Sequence, residues 1–232
     1  MERNSEKYAG LEELEVLKIA KNYNNSLCKK VERSFSKEKN TVDFGAGIGT
    51  FAKSLQGRGY KDISCIEIDD DQRNQISNTG FKAFKSIDEL PEKSVSQIYS
   101  FNVLEHIEND QEVINSLYQS MVDSGLFYVY LPAFNILYSA FDKKIGHFRR
   151  YTKKDIVEKL QKAGFEIKFA KYTDSLGFLM ALAYKFIDKS GTINKDSVAV
   201  YDKFIYPLSQ FLDVIFSPFF GKNVEVLAIK NK

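Results

Sequence analysis

At 232 residues, with 44% hydrophobic and 28% charged residues, the chain is long enough for one sizeable α/β domain and too apolar for disorder. A formal net charge of +2 is too mild to mark a nucleic-acid binder, and two cysteines make neither a disulfide framework nor a zinc site. No run of about 20 uncharged apolar residues offers a membrane span, and the polar start MERNSEKYAG carries no apolar signal core, so a cytoplasmic protein is expected.

Residues 11–36 place Leu11, Leu14, Leu17 and Ile19, then Leu27, Val31 and Phe35, at roughly helical spacing, which predicts an amphipathic N-terminal helical region over 1–38. Strand-like and helix-like segments then alternate: strand 41–44, helix 50–56, strand 63–68, helix 70–77, strands 82–85 and 97–101, helix 109–121 and strand 126–131. A helix over 152–164 opens with a Thr152/Asp155 capping box and closes on Gly164, and strands 165–171 and 224–229 bring the total to seven. This alternation implies an α/β fold with a mostly parallel, Rossmann-like sheet covered by helices on both faces. No repeat or low-complexity linker divides the chain, so 1–232 reads as one domain: a ligand-binding core over 39–174, a helical insertion over 175–222 and the last strand over 223–232.

The stretch VDFGAGIGTF, residues 42–51, sets Gly45, Gly47 and Gly49 two apart behind the first strand. Dinucleotide folds want glycine at the first, third and sixth positions of this turn, and the sixth here is Thr50. Asp43, two residues before the first glycine, would repel a pyrophosphate but could receive a cationic ligand directly or through water. Farther on, CIEIDDDQ ends the second strand with Glu67 placed to accept both hydroxyls of a ribose, while Asp70 and Asp71 read as helix-start carboxylates.

With these residues in place the chain resembles the class I S-adenosylmethionine-dependent methyltransferases. VDFGAGIGTF looks like their first motif and CIEID like the strand end that holds the cofactor's ribose. LPEKSVSQIYSFNVLEHIEND is similar to the fourth-strand region of the branch that includes ubiquinone- and menaquinone-type enzymes, whose members often read N-V-L-E-H. The resemblance runs from about residue 20 to 172 and implies S-adenosylmethionine as cofactor. It places Gly45, Gly47, Gly49, Glu67, Ile68, Asn102 and Val103 beside it, Asn102 and Val103 at its methionine part. Two departures stand out. Ser86 and Ile87 occupy the position where the family commonly has an adenine-contacting Asp, leaving the Ile87 N–H for adenine, and Ser96 stands where Asp is usual at the start of the fourth strand.

Methyl transfer from a sulfonium is an in-line displacement, so the protein must hold acceptor, methyl and sulfur collinear, and a hydroxyl acceptor must also lose its proton. The two histidines, His106 and His147, fall after the fourth and fifth strands and are the candidate catalytic groups. For His106 a structural place and a catalytic one weigh equally. The connection LPAFNILYSAFDKKIGHFRRYTKKD is long enough for a lid and resembles the G-H-x-R-R-Y/F-T stretch of the same branch, so Tyr138, Arg149, Arg150 and Tyr151 are expected on the substrate side. At least one of the two arginines is expected instead to anchor the lid to the core by an ion pair.

Between Glu67 and Glu112 eleven acidic residues face four basic ones, whereas from Phe141 to Tyr172 ten basic residues face four acidic ones. This asymmetry suits a cationic cofactor and an anionic acceptor. No metal site is expected, since no set of oxygen ligands gathers near the acceptor side, and the absence of N-P-P-Y lowers nucleic-acid substrates. Residues 176–187 and 204–220 are the most apolar of the chain and predict a helical cap packed on the core or on a second subunit, with contact to a lipid-linked acceptor or a membrane surface as the sharper reading. The function expected is methyl transfer, at oxygen, to a small-molecule or lipid- or glycan-linked acceptor. The alternative is a non-catalytic cofactor-binding module or partner subunit.

Overall fold

The computed structural model describes residues 19–187 and 194–231. A first helix, α1 (Lys21–Ser34), buries Leu27, Cys28 and Val31 and precedes β1 (Thr41–Phe44), α2 (Thr50–Gln56), β2 (Ile63–Ile66), α3 (Asp70–Ser77) and β3 (Lys82–Phe84). Next come β4 (Val95–Phe101), α4 (Asp110–Ser120), β5 (Met121–Pro132), a short α5 (Ala140–Lys144), α6 (Lys153–Ala163) and β6 (Phe165–Thr173). The insertion supplies α7 (Ser175–Ile187), α8 (Lys195–Val200), a π-helical turn over Tyr201–Ile205 and α9 (Tyr206–Phe216), and β7 (Asn223–Lys230) ends the sheet. Residues 11–18 of the expected N-terminal helix lie outside the described residues.

All seven strands form one sheet in the order β3-β2-β1-β4-β5-β7-β6. β7 runs antiparallel to both β5 and β6, and every other pairing is parallel. The strand order reverses between β1 and β4, which opens a crevice at their carboxyl ends. Alternation along the strands splits the core. Val42, Phe44, Ile98, Phe127, Val129 and Leu131 pack on one face with Ile114, Ile156 and Leu160. Cys65, Tyr99, Phe101, Tyr128 and Tyr130 pack on the other with Leu27, Phe51 and Leu55.

Element boundaries differ from expectation where polar groups intervene. β2 stops at Ile66 rather than residue 68 because the next carboxylate, Glu67, accepts the N–H groups of Gly47 (2.7 Å) and Asp69 (3.0 Å), turning the chain off the sheet. Ile68 is left 72% exposed. β5 begins at Met121, five residues early, because Met121 pairs with Val95 before the ladder resumes at Leu126. The capping box of α6 is present, with the Thr152 side chain accepting from the Asp155 N–H and Gly164 in the left-handed region at its end.

Two aspartates of the insertion tie it to the core. Asp213 accepts the Asp174 and Ser175 N–H groups at the start of α7 (2.6 and 2.9 Å), and Asp202 accepts those of Asn22 and Tyr23 at the start of α1 (2.9 and 2.8 Å). Each carboxylate satisfies orphan donors of a helix N-terminus and meets its positive dipole end. The result is a roof of α1 and α7–α9 beside the carboxyl ends of the strands. Leu179, Leu208, Phe211, Val214, Ile215 and Phe219 leave its outer face apolar and exposed. Among the described residues no helix is long and apolar enough to cross a membrane.

Candidate active site

The crevice at the switch of strand order opens into a cavity of about 1110 Å³. One side of it is built by Gly45, Ala46, Gly47, Ile66, Glu67, Ile68, Ser86, Ile87, Asp88, Asn102 and Val103. The other side is built by Glu105, His106, Leu137, Ala140, Phe141, His147, Arg150, Asp174, Met180, Ala181, Tyr184 and Tyr201.

The glycine loop takes its shape from three positive φ angles, +79° at Gly45, +56° at Gly47 and +77° at Gly49, which place backbone rather than side chain against the cavity. Its Gly47 N–H is already held by Glu67, whose carboxylate lines the cavity with acceptor capacity on both oxygens. Burial pushes the Glu67 carboxyl above its usual range, against the pull of the Asp69 and Gly47 hydrogen bonds. Beyond Glu67, exposed Ile68 and buried Ile87 give apolar walls, and the Ser86–Glu89 capping box holds Asp88 at the rim, where its Oδ2 accepts from Ser86 Oγ (3.0 Å). Asn102 adopts φ +53° at the end of β4 and donates from Nδ2 to the Tyr23 hydroxyl (3.3 Å), so α1 closes over that strand end.

Asp43 and Gly49 support this loop from beneath and do not line the cavity. Asp43 is 2% exposed and faces Ala52 and Tyr99, so direct contact between Asp43 and a cationic ligand gives way to a place under α2. Burial pushes its carboxyl up to about 7, and the Glu67 charge adds to the shift.

The acceptor side also departs from expectation. Tyr138 donates to the His147 carbonyl (2.7 Å). Tyr151 is buried and donates to Asp110 Oδ2 (2.7 Å) as well as contacting the Leu104 carbonyl. Arg149 donates to the Ile107 and Glu108 carbonyls and pairs with Asp110 (3.0 Å). Tyr138, Arg149 and Tyr151 are absent from the cavity wall and instead stitch the segment after β5 to the turn after β4. Arg150 reaches the cavity, but its guanidinium grips Asp142 through Nε (2.8 Å) and Nη2 (3.1 Å). Both arginines are thus paired with buried carboxylates, and the wall of this side holds Glu105, Glu112 and Asp174. The lid arginines therefore lend no ready binding group to an anionic acceptor.

The two histidines come together. Their rings meet edge to face at 4.5 Å, and His147 Nδ1–H donates to Asp142 Oδ1 (2.8 Å), which leaves Nε2 3.8 Å from Glu105 Oε1. Asp142 is fully buried; burial raises its carboxyl, but the bonds from His147 and Arg150 outweigh this and hold it well below the usual range. Glu105, also fully buried, follows Val103 in the NVLEH stretch, yet its approach to His147 had no signal in the sequence. The two loops are locked by Phe148 N–H donating to the Glu105 carbonyl (2.8 Å).

A family described as a methyltransferase domain matches residues 19–168, most of the chain and all of the glycine loop, Glu67 and both histidines. The chain belongs to this family. Its fold is that of solved S-adenosylmethionine-dependent methyltransferases. One from Archaeoglobus fulgidus is 18% identical over 89% of this chain and 94% of its own, with a TM-score of 0.59. Another from Thermotoga maritima is 14% identical over 95% of each chain, with a TM-score of 0.64. Haemonchus contortus phosphoethanolamine N-methyltransferase 2, solved with S-adenosylmethionine, is 14% identical over 91% of this chain and 53% of its own, with a TM-score of 0.61. A search of curated proteins gives no match. The chain thus carries a methyltransferase domain in the fold on which these solved relatives use S-adenosylmethionine. The residues on the loop side fit S-adenosylmethionine: Glu67 offers oxygens for ribose hydroxyls, and Ile68 and Ile87 offer apolar faces for adenine.

Proposed function

We propose that this methyltransferase methylates a hydroxyl oxygen on an acceptor that carries an apolar portion. The observation that supports it best is the convergence of Glu105, His106 and His147 on the cavity wall opposite the glycine loop. A hydroxyl must lose its proton before or as it attacks the methyl group, and this is the group of side chains suited to drawing it off. His106 is half-buried and faces the cavity, while His147 is fixed behind it in one orientation by Asp142. The resemblance to ubiquinone-type enzymes, carried by NVLEH, points the same way.

The apolar portion is proposed to lie along Leu137, Phe141, Met180, Ala181 and Val198, which continue the cavity toward the insertion. The exposed apolar face of α7 and α9 adjoins it, so a lipid-linked acceptor presented at a membrane surface accords with the same surface. Arg149 and Arg150 are each paired with a buried carboxylate, so neither is proposed to bind the acceptor.

The test is labelled-methyl transfer from S-adenosylmethionine into aqueous and lipid fractions of a cell extract, followed by identification of the labelled bond. A methyl ether in an organic-soluble product is the expected result, and a methyl ester, which would come from a carboxylate, refutes the hydroxyl assignment. Label found only on nitrogen or carbon refutes the oxygen assignment, and label confined to the aqueous fraction refutes the lipid-linked one.

A further inference from the structure

We infer that Glu105, His106 and His147 form a binding site for one divalent transition-metal ion. Each offers one ligand atom, and these atoms all lie within 4.8 Å of one another, close enough for a single ion to reach all three after small side-chain rotations. The donor set is two imidazole nitrogens and one carboxylate oxygen, which suits zinc, manganese or iron(II) better than calcium or magnesium.

A second arrangement supports the first. A metal-bound histidine characteristically donates its other ring N–H to a carboxylate, which fixes tautomer and ring orientation. Here His147 Nδ1 lies 2.8 Å from Asp142 Oδ1, the carboxylate partner such a histidine would have, and its other ring nitrogen, Nε2, faces Glu105 at 3.8 Å. Asp142 is itself held by the Ser139 N–H (2.9 Å), Ser139 Oγ (3.0 Å) and Arg150. Gly146, at φ +82°, lets the chain turn immediately before His147, and the Phe148 N–H to Glu105 carbonyl bond fixes the two ligand-bearing loops to each other. The fold thus brings the donor atoms near one another, and small side-chain rotations would complete the site.

All three residues line the cavity. Three protein ligands leave open coordination positions, and these would take the acceptor oxygen. With the three side chains serving as ligands rather than as the proton acceptor, coordination would lower the pKa of the bound hydroxyl; its O–H proton would pass to solvent water, the new O–CH3 bond would form as S–CH3 breaks, and the sulfur would keep the electron pair as S-adenosylhomocysteine. This deepens the hydroxyl reading above and rests on it for its catalytic consequence, whereas ion binding is tested apart from catalysis.

The tag-free protein is stripped with a chelator and titrated by calorimetry with zinc, manganese and magnesium chlorides, without cofactor or acceptor. The expected result is one equivalent of zinc or manganese bound at micromolar affinity or tighter, and magnesium weaker. Glu105→Gln, His106→Gln and His147→Ala should each weaken binding at least about tenfold, and Asp142→Asn by about 10–100-fold. Circular dichroism and S-adenosylhomocysteine affinity, read on every variant, establish that each is folded. No stoichiometric ion in the wild type, or binding that folded variants leave unchanged, overturns the site. Stoichiometric binding without any hydroxyl methylation would keep the site and refute the function reading alone.

Discussion

Val103 sits so close over Gly45 that a β-carbon there would lie 2.3 Å from Val103 Cγ2 and 2.7 Å from Cγ1. Gly45 also holds φ +79°, so two independent constraints require glycine at this turn. Gly45→Ala is therefore expected to lower S-adenosylhomocysteine affinity at least about tenfold and to destabilise the fold by about 1–3 kcal/mol. Gly45→Ala/Val103→Ala removes the clash but not the backbone strain, so calorimetry should find only part of the affinity restored. Full recovery in the double variant would leave the left-handed conformation without consequence.

Glu67 joins the cofactor side to the loop through a single carboxylate. Glu67→Ala removes both the acceptor for the Gly47 N–H and the proposed ribose acceptor, and is expected to weaken S-adenosylhomocysteine binding by about 10–100-fold, in line with the loss of hydrogen bonds to a charged group. Glu67→Gln keeps one acceptor oxygen and should fall between the variant and the wild type. Adenine alone should bind all three proteins equally, while adenosine should not. A loss of adenine binding in Glu67→Ala would mean that the residue acts on the loop as a whole.

These two predictions rest on residues that the sequence exposed, and the reason is local. A turn of three glycines behind an apolar strand, or an acid at the end of the next strand, is determined by a few consecutive positions. The lid length and the G-H-x-R-R-Y/F-T resemblance put Tyr151 and Arg149 on the substrate side, and the ion pair expected of one arginine gave no hint of its partner; that partner is Asp110, at the start of α4, which also binds Tyr151 and Lys159 (2.8 Å). Glu105 was passed over for the same reason, since the chain places His147 beside it only after β5 and the following loop have returned across the top of the sheet. Asp88 lies at the cavity rim one residue past the Ser86–Ile87 pair, a displacement set by the capping turn rather than by spacing. Side-chain pairings between loops are products of topology, which single-sequence patterns do not carry.

Asp43 gives a pH-dependent prediction. Its carboxyl is raised from 3.8 to about 7 in the folded protein by burial, so between these values the native state binds the proton more tightly than the unfolded chain. Stability from this group is present below about 4 and falls as pH rises toward 7, by up to a few kcal/mol. Asp43→Asn is neutral throughout and should show a flatter urea-unfolding profile between pH 4 and 7 than the wild type. Parallel profiles for the two proteins would mean that Asp43 ionises in the fold as freely as it does unfolded.

The last prediction concerns Glu225, which is 2% exposed on the antiparallel strand β7, between β5 and β6. Lys30 of α1 pairs with it, the Tyr128 hydroxyl donates to the same oxygen, and Lys171 reaches the other oxygen at 3.2 Å. Burial raises the Glu225 carboxyl, but the Lys30 charge and hydrogen bond outweigh it and hold the group below its usual value. Lys30→Met strands a buried charge and is expected to destabilise by about 2–4 kcal/mol at pH 7, a little below the usual loss for a broken buried pair because Lys171 remains. The sign with pH follows: the wild-type contribution is present above the usual carboxyl value of 4.5 and is lost as pH falls through the lowered one, so the two proteins should converge in acid. Lys30→Met/Glu225→Gln removes the stranded charge and should be less destabilised at pH 7 than the sum of the single variants, since contacting residues couple. Additive effects in urea unfolding would show that α1 is held to the sheet by its apolar face of Leu27 and Val31, with the ion pair contributing nothing.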